Sequence, residues 1–446
     1  MLFSLFLSLT SATLLAGATS LKIGSYTPKA FQNASPDVVS SHVVSLTRRS
    51  GSLSHAYLHA IRTGPEVNGT YGVAPLSIAA GQVFLAPITF GTQTFNAILD
   101  TGSSDTWLAV SGFQCFSAVT GAPQSEADCL FGPTYNISKT FKQIPNENFN
   151  VTYADQEVVT GIEGTEEITL AGITVKNQQV GVVDFAVWNG DGVSSGLIGL
   201  AFPSITSAFV GTDPSQDSRN NTITYNPIFT NMYTEKLVAP IFSLALTRGN
   251  DSGGFLAIGG LPRVAHSKNF AALPLQVLTV HNTAAPTGAK PQYQFYAITI
   301  QGFEILGAKY TSSSHGGNPN PFGRPDVPET EQVIIDSGTT LNYLASEIAY
   351  VTNAMFNPPA LYDQTINGFT VECDAIPPTF GVDIAGQTFF INAADMIVNT
   401  GEGVCLSGIQ DGGNTLAILG DVFLKNVLAV FDVGAAQMRF AAREYY

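Results

Sequence analysis

Ala97-Ile98-Leu99-Asp100-Thr101-Gly102-Ser103 and Val333-Ile334-Ile335-Asp336-Ser337-Gly338-Thr339 share one form: three apolar residues, an aspartate, a hydroxyl residue, a glycine and a second hydroxyl residue. A short apolar run reads as a buried strand, and the glycine permits a tight turn directly after it. Each copy therefore carries one carboxylate to the end of a buried strand and surrounds it with hydrogen-bond donors. The aspartates lie 236 residues apart, which predicts a duplicated fold whose halves each give one acid to a shared site. Two carboxylates in contact do not both ionise cheaply, so the pair shares a proton. The ionised member takes a proton from water while the protonated member donates to a substrate carbonyl. That combination suits direct attack of water on an amide, with no covalent intermediate and no metal. Ser103 and Thr339, three residues past their aspartates, are placed to orient the carboxylates. The hydroxyls of Thr101 and Ser337 are placed to bond backbone across the axis.

One Asp-Thr/Ser-Gly triplet is a weak signal. Asp251-Ser252-Gly253 follows Thr247-Arg248-Gly249-Asn250 and has no apolar strand before it. Two copies with apolar approaches are far stronger, and other segments add to them. Ser104-Asp105-Thr106-Trp107 follows the first motif; Gly196-Leu197-Ile198-Gly199-Leu200-Ala201 and Ala417-Ile418-Leu419-Gly420-Asp421-Val422-Phe423 trail the two aspartates by 99 and 84 residues at their glycines Gly199 and Gly420. Phe149-Asn150-Val151-Thr152-Tyr153 reads as a strand ending in an aromatic residue. With these segments the chain resembles the pepsin-like aspartic proteases, closest to secreted fungal members, from about residue 81 to 441. The resemblance implies an all-β, bilobal fold: a double β-barrel with pseudo-two-fold symmetry and a central cleft. It implies a first lobe over 81–250, a second over 251–446, and catalysis by Asp100 and Asp336. Tyr153 becomes the tyrosine of a flap that closes over substrate and bonds to Trp107; an ordinary strand tyrosine and a plain core tryptophan are the alternatives.

The chain departs from the family at the flap. Where the family writes Tyr-Gly-x-Gly-Ser/Thr, this chain has Tyr153-Ala154-Asp155-Gln156-Glu157. Glycines supply positive φ at a hairpin tip, so another turn, or a tip one residue longer, is expected. Asp155 sits where some fungal members carry an acidic flap residue, which implies a preference for a basic residue before the scissile bond. A solvated turn residue is the alternative.

Composition sets the compartment. Charged residues make up 12 % of the 446-residue chain, against about 25 % in ordinary soluble domains, and the formal charge is -15. Most of those carboxylates neutralise in acid, so the chain avoids the large positive charge that drives acid unfolding. The acidic balance argues against nucleic acid as a partner. Residues 2–15 are apolar and Ala16-Gly17-Ala18 follows, the form of a secretory signal over 1–18; the run is too short to span a bilayer. No apolar tail or membrane anchor is indicated. Residues 1–62 hold Lys22, Lys29, Arg48, Arg49 and Arg62 against Asp37 alone, which leaves 14 basic and 33 acidic residues beyond them. A basic leader lying on an acidic enzyme is favoured at neutral pH and weakens as carboxylates protonate. We therefore expect a propeptide over about 19–75 that inhibits its own chain, with Arg48-Arg49 as a dibasic processing site; a disordered exported leader is the alternative. Export permits disulfides. The four cysteines allow three pairings; the local one, Cys115 with Cys129 and Cys373 with Cys405, keeps each bridge in one lobe and matches bridges of the family. Sequons stand at Asn33, Asn68, Asn136, Asn150, Asn220 and Asn250.

The elements that must position the acids are short strands and turns. Residues 83–91 and 95–99 read as strands, and 166–175 as strand, turn and strand. Residues 226–233 read as a helix capped by Asn226 with Pro227 first. Residues 345–356 read as a helix with Ile348, Val351 and Met355 on one face. The glycine-rich run 253–260 marks the crossover between lobes, and 311–331 reads as an exposed loop. Gly192-Val193-Ser194-Ser195-Gly196 fits a serine-hydrolase pattern, which needs a helix after the serine and a later histidine partner. An apolar strand-like run follows instead. No H-E-x-x-H spacing exists, and glycosidase carboxylate pairs need no symmetric motif. The expectation is a secreted, monomeric, cofactor-free endopeptidase that binds extended peptides and works in acid. A catalytically inactive binding or inhibitor protein on the same fold is the rival.

Overall fold

A computed structural model of the chain describes residues 38–51, 81–117, 120–153, 157–248, 252–277, 292–310, 331–364, 366–400, 403–413 and 417–443. The signal segment, most of the leader, Asp251, Asp155 and residues 311–330 lie outside them.

The two aspartate strands are built alike. Gln93–Asp100 runs parallel to Gly196–Gly199, with Ile98 opposite Leu197, Leu99 opposite Ile198 and Asp100 opposite Gly199. Gly196–Gly199 then pairs antiparallel with Thr106–Phe116. In the second half Glu331–Ile335 runs parallel to Ala417–Leu419, with Ile335 opposite Leu419, and Ala417–Leu419 pairs antiparallel with Asn342–Ala345. Strands covered on both faces need continuous apolar runs. Ala97, Ile98 and Leu99 are buried, as are Val333, Ile334 and Ile335. These runs are what hold each aspartate at a strand end.

A sixteen-stranded sheet spans the first lobe and continues into the strands between the lobes. Its hairpin Val158–Leu170 and Ile173–Val187 turns at Ala171 and Gly172, both at positive φ (52° and 76°), the backbone that tight hairpins favour. One five-stranded and two four-stranded sheets complete the second lobe. The helices lie near their predicted places. Ile228–Thr234 starts after Pro227 as cap, and Asn226 bonds Asn231 across the first turn instead of capping. In Ser346–Ala354, Ile348 is buried and Val351 and Met355 pack against the core.

The leader region contributes a strand of its own. In His42–Gly51, residues 42–46 pair with Gly254–Ile258 and residues 47–51 with the start of Gly81–Phe90. Leu46 is buried in the core. Arg48 and Arg49 stand opposite Phe84 and Val83, and Arg48 Nη1 donates to the Arg248 carbonyl at 2.8 Å. Part of the segment read as a propeptide is therefore ordered in the sheet that joins the lobes. The cysteines are bonded as Cys115–Cys129 and Cys373–Cys405.

Candidate active site

The loops after the two aspartate strands meet. Gly102 N–H donates to Asp100 Oδ1 at 2.6 Å and Gly338 N–H to Asp336 Oδ1 at 2.8 Å. Ser103 Oγ donates to Asp100 Oδ2, and Thr339 Oγ1 to Asp336 Oδ2 at 2.6 Å. Each carboxylate lies against the glycine of the opposite motif: a methyl group on Gly102 would stand 2.5 Å from Asp336 Oδ1, and one on Gly338 2.4 Å from Asp100 Oδ1. Only glycine admits this approach. Across the axis, Thr101 Oγ1 donates to the Ile335 carbonyl at 3.0 Å and accepts from Ser337 N–H at 2.9 Å. Ser337 Oγ donates to the Leu99 carbonyl at 2.9 Å and accepts from Thr101 N–H at 3.2 Å.

Both acids are fully buried. Burial pushes Asp100 well above the usual carboxylate range, and the charge of Asp336 beside it pushes the same way; the Ser103 and Gly102 donors oppose them. Asp336 is also within hydrogen-bonding reach of Asp100. One buried carboxyl held neutral against a second is the arrangement for sharing a proton.

Tyr153 closes a hairpin, its N–H donating to the Glu157 carbonyl at 2.9 Å. Trp107 Nε1 donates to Tyr153 Oη at 2.7 Å, and both side chains are buried. Trp107→Phe removes that donor while keeping an aromatic ring. We expect kcat/KM to fall about tenfold, the weight of one buried hydrogen bond, with Tyr153→Phe matching it. Unchanged catalysis with lowered stability would make the contact a core contact alone.

Sequence reasoning missed three groups. Trp188 packs edge-on against Trp107 at 5.2 Å and against Tyr153 at 5.9 Å, and stacks on Phe131; it ends an alternating strand, and no motif marks it. Asp421 is buried with neither carboxyl oxygen hydrogen-bonded. Burial raises it well above the ordinary range, Lys425 pulls it down, and Asp336 and Asp100 push it up; its place directly after Gly420 was the available signal. Asp105 is the third. At the serine-hydrolase pattern, Ser194 is buried, its Oγ donates to Asp191 Oδ1 at 2.9 Å, and a strand follows.

The sequence model of the family described as eukaryotic aspartyl protease matches residues 83–443. A probable aspartic-type endopeptidase of Aspergillus fumigatus is 41 % identical over 430 residues, covering 93 % of this chain and 90 % of that protein. Penicillopepsin-1 of Penicillium janthinellum is 26 % identical over 81 % of this chain and 96 % of its own length. The crystal structure of an aspartic proteinase from Irpex lacteus superposes with a TM-score of 0.59 at 18 % identity, covering 81 % of this chain and 95 % of that one; it shares the bilobal all-β fold. The chain belongs to the eukaryotic aspartyl protease family, and its class is that of the pepsin-like aspartic endopeptidases.

Proposed function

We propose that the protein is a secreted endopeptidase that cleaves peptide bonds in acid through Asp100 and Asp336. The observation that carries this is the pair itself: two buried carboxyls from two strands of one design, held by matching donors and within reach of each other. The working state carries one proton. The ionised carboxyl takes a proton from a water molecule as its oxygen bonds to the substrate carbonyl carbon. The protonated carboxyl gives its proton to the carbonyl oxygen. The resulting diol collapses: the carboxyl that took the water proton gives it to the amine nitrogen, the other carboxyl takes a proton from a diol hydroxyl, the C–N bond breaks, and the pair again holds one proton. Full protonation removes the base and full ionisation removes the acid, so the rate peaks between these limits.

An extended peptide of the length the family binds would lie in the interlobe cleft beneath the hairpin that carries Tyr153, which excludes water on closing. Residues 1–18 would direct export, and the basic leader would inhibit the monomeric zymogen intramolecularly. A processing protease needs an extended, unpaired segment, so cutting at Arg48-Arg49 requires the His42–Gly51 strand to be out of its sheet. Exposed Asn136 and Asn220 suit glycans. The Asn150 amide is taken up by Pro214 and Asp217.

The test is a peptide library incubated with the secreted protein across acid and neutral pH, with and without pepstatin. Cleavage in acid that pepstatin blocks is expected. Binding of peptides without cleavage at any pH would make the protein an inactive member of its fold.

A further inference from the structure

Glu157 stands where the family writes a serine or threonine, at the foot of the hairpin that carries Tyr153. A glutamate beside a turn ordinarily reaches into water. This one is 3 % exposed, and its Oε1 accepts from Asn189 N–H at 2.7 Å. Burying and ordering so long a polar side chain costs free energy unless it is bonded. The bond falls at a definite place. Val158 pairs with Val187, so Glu157 and Trp188 lie one step beyond that pair, and the carboxyl carries the ladder past its end to Asn189.

The Asn189 backbone is itself a fixed point. Directly after it, Gly190 N–H donates to the Cys129 carbonyl at 3.0 Å and Gly192 N–H to the Leu130 carbonyl at 2.7 Å. A methyl group on Gly190 would stand 2.1 Å from that Leu130 oxygen. Asp191 Oδ1 accepts from Val193 N–H at 2.9 Å and Ser194 N–H at 2.6 Å, and Cys129 is bonded to Cys115. The contacts then run in a circle. Tyr153 N–H donates to the Glu157 carbonyl, the Glu157 carboxyl holds Asn189, Trp188 packs edge-on against Trp107 and Tyr153, and Trp107 Nε1 donates to Tyr153 Oη.

We propose that Glu157 is a positioning residue for peptide cleavage: its carboxyl ties the return strand of this hairpin to the Asn189 backbone and closes the ring that sets Tyr153 against Trp107 and Trp188. The proposal rests on the reading of the chain as an endopeptidase. Serine is too short to reach Asn189, so the ring is built from a side chain that the family's own residue does not supply.

The test uses Glu157→Gln, which keeps an acceptor oxygen, with Glu157→Met and Glu157→Ser, which remove it at large and small volume. Each is assayed on a peptide in acid beside its thermal unfolding and tryptophan emission. Glu157→Met and Glu157→Ser are expected to lower kcat/KM about tenfold, the weight of one buried hydrogen bond. The loss should lie mainly in KM, because Asp100 and Asp336 keep their places, and Glu157→Gln should recover most of it. Combined with Trp107→Phe, Glu157→Met should cost little more than either change alone, since one break already opens the ring. Trp107 and Trp188 are the two tryptophans of the chain, so emission should shift in Glu157→Met and stay in place in Glu157→Gln. A wild type that cleaves nothing would fail the endopeptidase reading, and emission would then decide the ring by itself. Unchanged kcat/KM in the Met and Ser variants that fold, lowered stability alone, an equal loss in Glu157→Gln, or losses that add with Trp107→Phe would each overturn the proposal.

Discussion

Asp100→Asn and Asp336→Asn each lower kcat/KM by about four orders of magnitude or more, since each removes one half of a paired acid and base whose contributions multiply. The substitution is nearly isosteric. At Asp100 the amide oxygen still accepts from Gly102 N–H, and at Asp336 from Gly338 N–H, so the fold survives. Stability separates a catalytic role from a structural one. Asp100 is raised by burial and by Asp336, so its stability contribution is complete below about pH 4 and is lost as pH rises. Asp100→Asn removes that loss: the variant should unfold like the wild type in acid and be more stable than it at neutral pH. Inactive, well-folded protein with raised neutral stability is the expected result, read by peptide cleavage and thermal unfolding at two pH values. An active Asp100→Asn protein would end the assignment. An inactive protein destabilised at every pH would show that Asp100 serves the turn and not the reaction.

Much of this site is legible in the sequence. The apolar runs into Asp100 and Asp336 are long enough to be strands and too continuous to be half-exposed, and the Asp-x-Gly spacing leaves few local conformations. The distant partners of those runs, Gly196–Gly199 and Ala417–Leu419, share their apolar-apolar-Gly pattern because each lies in parallel beside an aspartate strand. What stayed hidden depends on contacts with no sequence period. Trp188 reaches the site from the end of a strand, where side-chain direction follows from tertiary packing alone. Glu163 was invisible for a different reason: it is fully buried in Val158–Leu170, whereas a glutamate in an alternating strand is ordinarily assigned to the solvent face. The place of the leader in the sheet was hidden in a similar way. Its charge contrast with the rest of the chain is real, but charge counting does not report on backbone pairing: the ten residues of His42–Gly51 pair in the sheet, and Leu46 among them is buried.

The hydroxyls of Thr101 and Ser337 hold the two halves in register, and removing one should cost far more than a usual polar contact. Thr101→Val keeps the volume and shape of the side chain. It leaves the Ile335 carbonyl without its donor and the Ser337 N–H without its acceptor, both in the buried interface between loops. A buried group stranded in this way costs about 1–3 kcal/mol, so the variant should lose roughly 2–5 kcal/mol of stability. Ser337→Ala strands the Leu99 carbonyl and Thr101 N–H from the other side and should lose a similar amount. The double variant decides between two physical pictures. If each hydroxyl merely fills its own turn, the losses add within about 0.5 kcal/mol. If the four bonds form one clasp, the first substitution already lets the loops part, and the second costs much less than it does alone. We expect the second outcome, with kcat/KM falling in each single variant because the carboxyls drift from their shared position. Denaturant unfolding and peptide cleavage on the four proteins measure both, and additive losses with unchanged turnover would show that the acids keep their places without the clasp.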